Sequence, residues 1–68
     1  MLTQKEILGY AIAGITRRIE SEHNSAELTE RIYGIEAKGT RAIIRELVEK
    51  QDEAIRMYLE IEKNEKET

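Results

Sequence analysis

Lys38, Arg41 and Arg45 follow one another at spacings of three and four. That spacing sets them on one face of a helix, where ammonium and guanidinium groups could meet phosphates and base edges. Lys50, with Arg31, stands where further backbone contacts to a duplex would fall. The plainer alternative is a solvated face whose cations balance neighbouring glutamates, and the residues alone leave both open. Other chemistry is sparse. His23 is the only histidine and the chain has no cysteine, so neither a metal-ligand set nor a nucleophile–base arrangement is expected. Arg17 and Arg18 read as surface charge. Glu20 with Glu22, and Glu60 with Glu62, lie in charge-dense stretches that offer no burial to raise a carboxyl pKa for acid catalysis. There is no phosphate-cradling glycine loop and no nucleophile elbow. The expectation is a protein that is not an enzyme, with no metal, cofactor or small-molecule substrate.

These residues need elements to hold them. Thr3-Gln4-Lys5-Glu6 has the form of a capping box, with Leu2 and Ile7 placed as a hydrophobic staple. Leu8, Ile12, Ile15 and Ile19 then recur on one helical face. The polar run Ser21-Glu22-His23-Asn24-Ser25 reads as a break, and Asn24 with Glu27 as a second helix start. Leu28, Ile32 and Ile35 would face inward from that helix. It ends either near Tyr33 or at a Gly39 C-cap. Thr40 can cap a third helix, with Ile44, Leu47, Val48 and Ile55 inward. After Asp52 two periods compete. Ile55, Met57, Leu59 and Ile61 alternate like a strand, yet no turn signal separates Thr40 from Lys63, which favours a continuous helix.

Residues Glu27 to Lys50 resemble the helix-turn-helix core of bacterial winged-helix repressors of the gluconate-repressor type. The resemblance rests on Glu27-Leu28, Glu30-Arg31, Tyr33-Gly34-Ile35, Gly39-Thr40-Arg41 and Arg45-Glu46-Leu47-Val48-Glu49-Lys50. It implies a third helix lying in the major groove of double-stranded DNA, with Lys38, Arg41, Arg45 and Lys50 as DNA-binding residues. No glycine follows Gln51, so a wing hairpin is not expected.

Composition sets the outer bounds. The chain has 68 residues, 37% of them charged, and its 11 basic and 14 acidic groups give a net charge of −3. The sign is uneven, with residues 31–50 at +2 between acidic flanks, so only the middle third would welcome a polyanion. Ten Ile, five Leu and one Val must build the core without Phe or Trp. Without a disulfide or metal, a core this small leaves self-association as the cheapest remaining source of stability. Ile55, Tyr58 and Leu59 are the expected homodimer interface, on an end segment with little monomer left to cover it. The apolar run Ile7 to Ile15 is too short to span a membrane or, with its charged flanks, to be read as a signal peptide. The expectation is an all-α, three-helix domain over residues 1–63, with a frayed tail over 64–68. Helices two and three cross as a helix-turn-helix, the long C-terminal helix pairs in a homodimer, and the location is cytoplasmic. Two functions fit: a small DNA-binding regulator, or a helical-bundle module that binds a protein partner as an adaptor or inhibitor. They are separated by whether the basic face is free of carboxylates.

Overall fold

The structure, a computed structural model, describes residues 1–67. It contains two helices, α1 (Gln4–Tyr33) and α2 (Lys38–Glu67), each of 30 residues. A helix of that length is about 45 Å long, and the whole body measures 55 × 20 × 13 Å. The helices therefore lie side by side and antiparallel, as a hairpin.

This corrects the expectation of three helices with a crossing helix-turn-helix pair. The run Ser21–Ser25 is polar because all of it but Glu22 is exposed, not because the chain turns there. It contains no glycine or proline, and α1 passes straight through it. The inward positions Ile12, Ile15, Ile19, Glu22, Ala26 and Thr29 keep alternating spacings of three and four across the supposed break. That seven-residue rhythm is the mark of one long helix packed along another. On α2 the same rhythm runs through Ile44, Leu47, Gln51, Ala54, Tyr58 and Ile61. Its inward face is applied to α1 of the same chain. The strand period after Asp52 is not realised, and the helix is continuous to Glu67. The expected tail residue Thr68 lies outside the described residues.

The local signals at the two ends of α1 act as their chemistry requires. Thr3 Oγ1 accepts a hydrogen bond from the Glu6 amide at 3.1 Å, and Glu6 Oε1 accepts one from the Thr3 amide at 3.2 Å, which completes the capping box. At the other end the chain turns at Gly34, whose φ of 67° is left-handed and whose amide donates to the Glu30 carbonyl. Only glycine takes that conformation without strain, so Gly34, rather than Gly39, is the C-cap. α2 begins at Lys38, two residues before Thr40, and its first turn carries no acidic residue.

Packing along the seam is thin. Among the described residues the buried apolar side chains are Ala26, 0% exposed, and Ala54, 8% exposed. Small side chains let two backbones approach closely, but they bury little area each. Three pairs across the seam fix the register: Lys5 with Glu62, Gly9 with Tyr58 and Thr16 with Gln51. Each step up α1 is matched by an equal step down α2.

Candidate functional site

The basic face forms at the tip of the hairpin. Lys38 and Arg45 are exposed there, but Arg41, between them, is only a third exposed and turns back onto α1. Its Nε donates to Glu30 Oε2 at 3.0 Å, and a second guanidinium nitrogen donates to Glu30 Oε1. This is a bidentate arginine–carboxylate pair, the geometry in which such pairs are strongest. Glu30 Oε2 also accepts the backbone N–H of Ala37 at 3.0 Å. A carboxylate from α1 thus serves the N-terminus of α2, which lacks an acidic residue of its own and carries the positive end of the helix dipole.

The electrostatics follow from that arrangement. The Arg41 hydrogen bonds, with the Ala37 amide second, hold the Glu30 carboxyl down at about 2. The Glu30 hydrogen bond raises the Arg41 guanidinium further, and Glu36 and Glu27 add to it through charge alone. Glu49, one turn beyond Arg45, shares the face of Lys38 and Arg45. Lys50 does not join them, since five residues rotate it by about 140° from Arg45. Of the four expected DNA contacts, the structure brings three to one face. One of these is neutralised, and carboxylates border the set.

The three expected interface residues are also divided. Tyr58 faces α1: its ring lies 3.9 Å from where a Cβ on Gly9 would stand, and the Lys5 ammonium sits 5.4 Å from its centroid, within cation–π range. Ile55 is half-buried. Leu59 stands 53% exposed. Lys5 further reaches Glu65 Oε2 at 3.2 Å and Glu62 Oε2 at 3.7 Å, joining the start of α1 to the end of α2. These contacts, chiefly the hydrogen bond that Lys5 donates to Glu65, raise the Lys5 ammonium above its ordinary value.

The hairpin has two unlike sides. One carries the interhelical polar contacts: Lys5 with Glu62, Gln51 Nε2 donating to Thr16 Oγ1 at 2.7 Å, and Glu30 with Arg41. The other mixes apolar and charged residues. Gln4, Arg56, Met57, Glu60 and Ile61 line one shallow hollow and so share a side. Residues a heptad apart stay on that side, which adds Ala11, Arg18, Ser25 and Ile32 from α1, and Ile43 and Lys50 from α2. Met57 is 45% exposed, Ile43 39% and Ile32 62%. Among the described residues no group of His, Cys, Asp or Glu side chains is placed to hold a metal ion. No helix of these residues is long and apolar enough to cross a membrane.

Sequence reading missed Glu30 as the anchor of the tip. Glu30 and Arg41 are eleven residues apart across a turn, so no local pattern joins them, and both were assigned to other tasks. Thr16 and Gln51 were missed in the same way. The unbroken three–four rhythm from Ile12 to Thr29 was the available signal for the hairpin itself. Comparison with protein-family models, with curated proteins and with solved structures returns no match to this chain.

Proposed function

We propose that the protein is a non-enzymatic helical-hairpin module that works by protein–protein contact, docking through the apolar side chains it leaves exposed to complete a helical bundle. The observation that carries this reading is the imbalance of burial. Among the described residues two alanines are buried, while Ile7, Leu28, Ile32, Ile43, Val48, Met57 and Leu59 are exposed. A two-helix hairpin without disulfide or metal has too little core to be complete by itself. Apolar patches of this breadth mark an interface. The DNA-binding alternative would need Arg41 released from a bidentate partner, and a basic face with Glu36 and Glu49 at its border.

An apolar fluorescent dye reports the face when it is uncovered, and sedimentation equilibrium reports it when it is covered by another chain. One of the two signals is expected, and Ile43→Glu combined with Met57→Glu should abolish it. A cooperatively folded chain that neither binds dye nor associates would contradict the reading. So would amide shifts confined to Lys38 through Arg45, reversed by salt, on adding a mixed-sequence duplex.

A further inference from the structure

The tip of the hairpin leaves apolar residues where a seam would cover them. Tyr33 falls on the inward spacing of α1, four residues after Thr29 and seven after Ala26. Yet it stands 70% exposed, because the chain leaves the helix at Gly34. Ile32 and Ile35 beside it are exposed as well. The inward spacing also survives the turn: from Tyr33 it runs to Ala37, Thr40 and Ile44 and so joins the inward stripe of α2. Its one departure from the seven-residue rhythm is two successive steps of four, from Thr29 to Tyr33 and on to Ala37. A long helical pair absorbs such an insertion by a local change of winding. We infer that residues 34–37 are a hinge that can close into helix. The chain then becomes one continuous helix over residues 4–67, and two copies exchange arms, α1 of each lying along α2 of the other.

The four residues permit this. None is proline, and Glu36 and Ala37 are good helix formers. Gly34 costs a helix no more than Gly9 and Gly14 do, and α1 already contains both. The Gly34 amide donates to the Glu30 carbonyl, four residues back, as it would inside a helix. The Ala37 amide, held by the Glu30 side chain in the closed turn, would pass to the Tyr33 carbonyl.

A flexible loop could open in the same way, but exchange here creates contacts that the hairpin cannot make. Lys5 with Glu62, Gly9 with Tyr58 and Thr16 with Gln51 are remade between chains in the same register. Equal steps onward from them set Tyr33 opposite Gly34 of the second copy, and Ile32 opposite Ile35 of the second copy, each twice about the axis. Tyr33 on a glycine repeats the way Tyr58 lies against Gly9. Within one chain these four residues form the end of α1 and the turn itself, so they cannot face one another across a seam. The exchange covers the tip and leaves the side that carries Ile43 and Met57 as open as before, so it stands apart from the docking reading.

Energy transfer within a single chain tests the hinge. The chain has no cysteine of its own, so donor and acceptor dyes can be placed at Tyr10→Cys and Lys63→Cys, both exposed positions. The dyes are neighbours in the closed hairpin and about 80 Å apart on a continuous helix. Refolding from urea with a large excess of unlabelled chain leaves only that internal distance to be read. Wild type should keep high transfer when dilute and lose it when refolded at millimolar chain, with helicity kept and mass doubled. Gly34→Ala strains the closed turn and favours helix. It should lose transfer at about a hundredfold lower concentration, from about a tenfold gain at each of the two hinges. Adding Ile35→Asp, which the exposed tip accepts but which sets a carboxylate against Ile32 at the axis, should restore high transfer. Doubled mass with transfer kept means closed hairpins side by side, and overturns the exchange while leaving the docking surface standing. Transfer that Gly34→Ala keeps at every concentration, or loses only together with helicity, overturns the hinge. So does an exchanged pair that is indifferent to Ile35→Asp.

Discussion

Glu30 accepts three hydrogen bonds at the tip of the hairpin, two from Arg41 and one from the Ala37 amide. Its carboxyl, held at about 2 against an ordinary 4.5, is favoured in the ionised form by the folded state. A depressed carboxyl contributes stability above its unfolded pKa and loses it as the pH falls through the folded one. The tip should therefore loosen as pH drops from 4.5 towards about 2. Urea unfolding should show Glu30→Gln less stable than wild type at pH 7, with the difference closing near pH 2. A gap that persists in acid would mean the carboxylate charge is not what anchors the tip. Gly34 makes a second claim at this scale. Its φ of 67° should make Gly34→Ala cost about 1–2 kcal/mol, read from the same urea transitions.

At the scale of the element, the sequence was legible where a signal is local. The Thr3–Glu6 capping box stands as its four residues indicate. The helix after Asp52 was legible from the absence of any turn residue. What misled was the polar run at Ser21–Ser25, where exposure has the same composition as a break. Composition tells whether a residue meets water but not whether the backbone turns, and only the rhythm carried across 19, 22 and 26 distinguishes the two. The basic spacing of Lys38, Arg41 and Arg45 was legible as a face, but the capture of Arg41 by Glu30 depends on how far α1 extends. Once α1 runs to Tyr33, Glu30 is carried to the start of α2. The seam makes its own prediction. Ala26 is fully buried on the seam between the helices, so Ala26→Leu should cost about 1–3 kcal/mol by overpacking. Ala42→Leu, on the exposed outer face of α2, should stay within about 0.5 kcal/mol. Equal effects in chemical denaturation would mean that the seam is not tightly packed at Ala26.

For the whole molecule the decisive quantity is surface. A body of 55 × 20 × 13 Å is one helix thick in its shortest direction, so every inward residue has an open flank. One side of the hairpin uses that flank for ion pairs and hydrogen bonds, and the other leaves apolar side chains to water. Surface ion pairs such as Lys5 with Glu62 contribute little and are screened by salt. They therefore cannot stand in for the missing core. Covering the apolar side can. Stability that depends on a second chain depends on concentration, because anything that binds only the folded state raises the unfolding midpoint by mass action. Thermal unfolding followed by circular dichroism across a hundredfold range of chain concentration tests this most directly. The midpoint should climb steadily with concentration, and Ile43→Glu combined with Met57→Glu should flatten the climb. A midpoint that stays fixed across the whole range, in a fully helical chain that also binds no apolar dye, would show that the lone hairpin is complete and contradict the account.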